Sequence, residues 1–393
     1  MFFFAFAIGL GTGASVLVGQ AWGARQLDKV RQIAGAVVVG GAGLGVTVAI
    51  VGWLVAPSLL RALGTPPEVL DGAVPYARLM MLSMPVLVQS ILIASLLRGV
   101  GNTMLPLGTL VVTCAASFVL TPAFIAGWLG LPGLGVASAA LGTLCAAALA
   151  PAWLAWRLAR LQHVLSPASL KPELRWRPDL LRTVARLGVP TGLFFVTGSM
   201  ADLGLLSLVN AHGASAVAAW GAVQQVTAYV QFPAMSIAIA ASVFAAHAIG
   251  AGRAGQVHEV TRVGLALNAL LTGSLAVLVV LFARQAVAVF TSDPAVVDLG
   301  AHLLHISVWG SLMLGIGSVF SGVMRAAGTV KVPMLISLSC LAFILVPVGW
   351  ALDRAFGMRA LWWTFLVTYG VGASLQAAYF YGVWRRKPIR RLV

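Results

Sequence analysis

Acidic residues are scarce in this chain: ten Asp and Glu among 393 residues, against 25 Lys and Arg. Charge of either sign amounts to only 9% of the sequence. A soluble domain of this size carries about a quarter of its residues as charges, so a water-facing surface all round is excluded. Cysteine is equally sparse. Cys114, Cys145 and Cys340 each sit inside an apolar run, with no metal-ligand spacing and no pairing pattern, which leaves them as packing residues. No stretch alternates apolar and polar residues as a membrane β-barrel would. There is no phosphate loop followed by lysine and no nucleophile with a histidine in register, so an enzyme is not expected. Nor does "MFFFAFAIGLGTGASVLVGQ" carry the basic start of a cleavable signal.

What the chain has in abundance is hydrocarbon. Sixty per cent of its residues are hydrophobic, and the mean hydropathy is +0.98. A bilayer core about 30 Å thick requires about 20 apolar residues per helix. The sequence supplies eleven such runs: Phe2 to Trp22, Ile33 to Ala56, Ala77 to Leu97, Leu105 to Gly127, Gly135 to Trp156, Val184 to Asn210, Ala216 to Ile249, Val263 to Phe282, His302 to Met324, Val332 to Leu352 and Leu361 to Trp384. The expected fold is an all-α polytopic membrane protein.

The formal charge of +15 would suggest nucleic acid in a soluble protein. Here the basic residues fall between the apolar runs, where they read as topology signals, and no nucleic-acid partner is expected. With the C-terminus placed in the cytoplasm, twenty Lys and Arg fall inside and only Arg61, Arg78, Arg284, Arg354 and Arg359 outside. An odd number of spans then starts Met1 outside.

A repeat accounts for that start. "LLRGVGNTMLP" from Leu96 and "VMRAAGTVKVP" from Val323 are offset by 227 positions. The same offset pairs Pro67 with Pro294, Asp71 with Asp298, and "ASVLVGQAWGA" at Ala14 with "ASVFAAHAIGA" at Ala241. Two copies in one orientation imply a repeat unit of six helices. In the second copy the run Val184 to Asn210 precedes the matching segment, and in the first copy the sequence opens without it. The expectation is therefore two pseudosymmetric bundles, five helices plus six, with the first helix of a twelve-helix fold missing before Met1 through a misassigned translation start or a deletion. Their bounds are 1–160 for the first bundle, 161–182 for a cytoplasmic linker, 183–384 for the second bundle and 385–393 for a basic tail.

Several segments together resemble the multidrug and toxic compound extrusion (MATE) family. They are "VGQAWGAR", "LLRGVGNTMLP", "LPGLGVASAALGT" and "VQFPAMSIAIAAS" followed by "HAIGAGR". The resemblance covers essentially the whole chain. It implies a secondary antiporter, built of two helix bundles, that exports cationic or amphiphilic compounds against an inward flow of protons or sodium ions. It implies a bacterial inner membrane and no cofactor beyond the coupling ion. The chain departs from the family in lacking the first helix, which commonly carries an acidic coupling residue, and in having no carboxylate in His302 to Met324.

Asp202 is the one acid inside an apolar run. An ionisable group in hydrocarbon normally faces a cavity and serves an ion or substrate path, so Asp202 is the candidate ion-coupling residue. The bland alternative has it bonding hydroxyls such as Ser199 and packing helices. About ten residues separate Asp202 from the turn near His212, and about eleven separate Gln224 from it, so the two are expected at one depth. Gln224, Thr227 and Gln231 recur at i, i+3 and i+7 with Gln225 and Tyr229 beside them, the pattern of a substrate-cavity wall or of interhelical hydrogen bonding. Arg98, Gly101 and Pro106, with Arg325, Gly328 and Pro333, read as structural hinges at helix ends. Gln89 and Asn268 read as interhelical contacts, and Gln20 and His247 as packing at inner helix ends. The function expected is alternating access by rocking bundles in a monomer embedded in lipid. The rivals are a lipid-intermediate flippase, disfavoured by the lack of a deeply placed arginine or lysine, and a membrane scaffold.

Overall fold

The computed structural model describes residues 2–62, 67–126, 136–389 and 391–393. The opening of "LPGLGVASAALGT" and the side chains of Pro67 and Asp71, which the repeat pairs with Pro294 and Asp298, lie outside the described residues. The described residues are almost wholly helical, without a strand. In a bilayer that is the expected solution, since a helix satisfies its own backbone groups. The chain divides into two compact units, Met1–Gly188 and Val189–Val393.

In the first unit α1 (Phe2–Gly23), α2 (Leu27–Ala62), α3 (Pro67–Leu82), α4 (Met84–Gly99), α5 (Met104–Ala126) and α6 (Val136–Arg160) follow one another. Pro85, with no amide hydrogen to give, follows the break between α3 and α4, so one apolar run is built as two helices. A short helix α7 (Pro167–Leu170) follows, capped by the Ser166 hydroxyl. The linker segment packs within this unit: the Glu173 carbonyl sits where a β-carbon on Gly35 would stand, and Leu181 reaches Gly40. The helix α8 (Pro178–Asn210) crosses the division. Its first part lies so close to α1 that β-carbons on Gly13 and Gly188 would meet backbone carbonyls at 2.4 Å. Small residues allow such approach where packing, not water, drives association.

In the second unit α8 continues into α9 (Ala214–Gly250), α10 (Gln256–Leu267), α11 (Gly273–Leu281), α12 (Ala283–Ala288), α13 (Pro294–Ala326), α14 (Lys331–Cys340), α15 (Val346–Phe356), α16 (Met358–Leu361) and α17 (Trp363–Gly382). α9 passes through Pro233 without ending. Single π-helical turns, Asn268–Thr272 and Leu341–Leu345, join α10 to α11 and α14 to α15, so each pair forms one span. The central helix is α13, buried on most of its circumference against α9 and α17. Among the described residues, ten of the eleven expected runs are helices long and apolar enough to cross a membrane. The eleventh forms α17, whose Thr364, Thr368, Tyr369, Gln376 and Tyr379 make it too polar to stand among those ten.

Tryptophans serve two purposes. Trp53, Trp156 and Trp350 lie under the guanidinium groups of Arg78, Arg160 and Arg354, at 5.1, 4.7 and 4.0 Å. Such pairs suit the polar boundary of a bilayer. Trp220, Trp362 and Trp384 instead are buried core residues of the second unit.

The repeat is visible in the backbone. α4 and α13 both end on a left-handed glycine, Gly101 at φ 83° and Gly328 at φ 80°. Asn102 then donates its N–H to the Leu97 carbonyl, and Thr329 donates to that of Met324, each at 2.9 Å. This closure requires positive φ, which glycine adopts without steric cost. The two copies differ where α8 intervenes. In the second unit Gly204 and Leu205 of α8 approach Val346 and Gly349 of α15, whereas Val119, the repeat counterpart of Val346, is exposed on α5.

Candidate functional site

Asp202 sits in the last third of α8, half-buried, between the buried Ala201 and Leu205. Those two neighbours belong to the apolar core shared with α9, α13 and α17, which fixes the rotation of the helix. Ser199 donates its hydroxyl to the Phe195 carbonyl at 3.0 Å, one turn back on its own helix. Its only proton is therefore committed to the backbone. Among the described residues the Asp202 carboxyl enters no hydrogen bond and no ion pair. It lies instead within electrostatic reach of Tyr369 on α17. That residue was missed in sequence. The only signal for it was the unusual polarity of the last apolar run.

Depth can be read from packing. Trp220 of α9 stands 4.7 Å from Trp362 and 5.9 Å from Phe365, ring centre to ring centre. Leu205 of α8 and Thr364 of α17 both reach Gly349. Asp202, Gln224 and Tyr369 each lie about one turn further along their helices, so all three fall within about 5 Å of one level. On α9 the Gln224, Thr227 and Gln231 stripe is split by packing. Thr227 is buried with its hydroxyl unpartnered, Gln224 and Gln231 are half-buried, and Gln225 and Tyr229 are exposed. The exposed face continues through Phe232 and Ser236.

The hinge candidates are built alike but anchored differently. The Arg98 guanidinium donates to Ser95 of its own helix at 2.8 Å, whereas Arg325 reaches Thr191 on α8. Each Nε is buried without a partner. Pro106 and Pro333 are the third residues of α5 and α14, in first turns where a missing N–H costs nothing. Gln89 donates to the Val38 carbonyl of α2 at 2.9 Å, and Asn268 to the Leu312 carbonyl of α13 at 3.2 Å, both interhelical contacts. Gln20 is buried and His247 half-buried. A cavity of about 430 Å³ in the second unit is lined by His302, Ile306, Leu352, Phe356, Ala360 and Trp363, and includes neither Asp202 nor the α9 stripe. Near it His212 Nε2 lies 2.7 Å from Asp353 Oδ1.

The MatE family model matches residues 1–123 and 190–351, one match in each repeat. The chain belongs to the MatE family. The probable multidrug resistance protein YoeA of Bacillus subtilis (strain 168) is 33% identical over 391 residues, covering 99% of this chain and 84% of that protein. The multidrug export protein MepA of Staphylococcus aureus (strain N315) is 23% identical over 371 residues, covering 93% and 80%. Among solved structures, an outward-facing multidrug resistance MATE transporter superposes with a TM-score of 0.88 at 21% identity, covering 98% of this chain and 85% of that one. The Vibrio cholerae MATE transporter VcmN in its bent form gives 0.85 at 22%, covering 97% and 85%. The MATE fold thus accounts for both units of the chain, and a repeated helical bundle is what the 227-residue offset requires.

Proposed function

We propose that the chain is a secondary antiporter of the MATE family, a transporter rather than an enzyme, that exports cationic or amphiphilic small molecules in exchange for protons or sodium ions. It works by alternating access as a monomer in the bacterial inner membrane, with its C-terminus in the cytoplasm, and uses no cofactor beyond the coupling ion. The names of the multidrug resistance and multidrug export relatives support the substrate class, and the twenty-to-five bias of basic residues supports the orientation.

One observation carries the coupling assignment. Asp202 is a carboxyl within a membrane span that, among the described residues, neither Ser199 nor a basic side chain neutralises, and it lies within electrostatic reach of the Tyr369 phenol. A carboxylate so placed would be costly as mere packing. It is suited to bind a proton or a small cation in one state and release it in another. The accessible polar positions on α9, Gln224, Gln225, Tyr229 and Gln231, supply hydrogen-bonding groups for the exported molecule, while Thr227, expected among them, is buried in the packing.

The test is export of a fluorescent cation from proteoliposomes, driven in turn by a proton gradient and a sodium gradient. Asp202→Asn is expected to abolish gradient-driven export while leaving the protein folded, Tyr369→Phe to weaken it, and Ser199→Ala to leave it unchanged. Undiminished export by Asp202→Asn would sink the coupling assignment. Movement of an anionic lipid precursor with none of any cation would overturn the antiporter reading in favour of a flippase.

A further inference from the structure

Three segments far apart in sequence converge at one end of the second unit: the α9–α10 turn with the start of α10, the α13–α14 turn, and residues 384–389 with 391–392. Trp384 is buried, stacks on Phe380 at 4.9 Å and donates its indole N–H to the Thr329 hydroxyl at 3.0 Å. Beyond it the chain folds back across both turns. Arg391 Nη2 lies 2.7 Å from the point a β-carbon on Gly252 would occupy, and Leu392 Cδ2 lies 2.8 Å from the same point at Gly328. His258 of α10 is within electrostatic reach of Arg385. The expected basic tail is therefore a docked strap.

The strap gathers positive charge on a fixed platform. Arg253, Arg385, Arg386, Lys387 and Arg391 are all exposed, and among the described residues none of them forms an ion pair. Lys387 contacts only the Tyr379 hydroxyl and ring. Glu259, the acid on these segments, is exposed on α10. Like charges gathered at one end of a unit repel one another, and an anion among them relieves that repulsion. Guanidinium groups match phosphate oxygens in geometry as well as charge. Tyr381 and Val383, just before Trp384, and Val263 and Leu267, further along α10, are exposed apolar side chains. A free phosphate has no use for that surface, whereas an acyl chain does.

We propose that this end of the second unit is a binding site for anionic phospholipid headgroups, with Arg253, Arg385, Arg386 and Arg391 holding phosphate oxygens and the strap keeping them in place. The proposal goes beyond the transport reading and does not depend on it.

The experiment titrates detergent-solubilised protein with phosphatidylglycerol and with phosphatidylcholine, and counts bound lipids by native mass spectrometry. A basic residue near an anionic surface contributes enough that removing three lowers affinity at least about tenfold. The triple variant Arg385→Gln, Arg386→Gln, Arg391→Gln is expected to lose its preference for phosphatidylglycerol by about that factor. Replacing the same three by lysine should keep part of the preference, and Arg157→Gln with Arg160→Gln should keep all of it. Thermal unfolding of each variant establishes that it is folded. An undiminished preference in the triple variant, an equal loss in the Arg157 and Arg160 control, or displacement of the lipid by millimolar inorganic phosphate would overturn the proposal.

Discussion

Gly41 and Asn268 occupy the same position of the repeat, 227 residues apart, yet play opposite parts in the same kind of contact. In the first unit the amide is Gln89 of α4, whose Oε1 lies 2.6 Å from the point a β-carbon on Gly41 would fill. In the second the amide is Asn268 itself, set against Gly315 of α13 with 2.1 Å to the equivalent point. Amide and glycine have changed helices while the interhelical bond persists. A side chain on both partners would not fit, and a glycine on both would leave a void.

This exchange predicts an asymmetric cost. Asn268→Ala removes two hydrogen bonds, the one donated to the Leu312 carbonyl and the one accepted from the Thr272 hydroxyl, and should destabilise by about 1 kcal/mol. Gly315→Ala drives a methyl into the Asn268 amide and should cost more, about 1–3 kcal/mol. Midpoints of thermal unfolding in detergent measure both. Equal, negligible shifts would mean that the contact does not hold the helices.

A second pair concerns strain. Arg25 closes α1 at φ 57°, where its counterpart Gly252 closes α9 at φ 77°. A side chain in the left-handed region costs about 1–2 kcal/mol, part of which glycine returns as chain entropy on folding. Arg25→Gly is therefore expected to raise stability by up to about 1 kcal/mol, read from the same unfolding curves. Its charge lies on an exposed turn, so Arg25→Asn, which also tolerates this backbone, should show part of the gain.

The buried guanidinium of Arg325 depends on Thr191. Thr191→Val keeps the shape and removes the acceptor, leaving a charged donor unsatisfied at about 1–3 kcal/mol. Thr191→Ser should recover most of that loss. If valine is tolerated as well as serine, the hydroxyl does not hold the arginine.

His163, in the segment after α6, predicts a dependence on pH. Its Nδ1 accepts the Leu165 N–H at 3.2 Å, and burial holds its pKa below the ordinary 6.5. The folded state thus prefers neutral imidazole, while the unfolded chain takes up a proton first. Stability is complete above the ordinary value and declines as pH falls through the lowered folded one. Protease cleavage within residues 161–182 should accelerate on acidification from pH about 8 to about 5, and His163→Asn should flatten the profile. A wild-type rate that does not change with pH would exclude this role.

The sequence by itself determined the membrane class, ten of the spans, the repeat and its paired turns at Gly101 and Gly328, because hydrophobic run length and an exact offset are properties of the chain itself. The π turns at Asn268 and Leu341 were not legible, because they depend on what a helix meets, whereas the break before Pro85 follows from a missing amide hydrogen that the chain itself displays. Asp202 was legible as a lone acid, but its neighbour Tyr369 was not, since 167 positions separate them. Only the tertiary structure decided that Thr227 turns inward while Gln225 and Tyr229 turn out, because packing against α13 sets the rotation of α9. It also decided that Arg391 and Leu392 lie docked across Gly252 and Gly328. Positive charge alone would leave such a segment free in water, and the buried Trp384 is what anchors it.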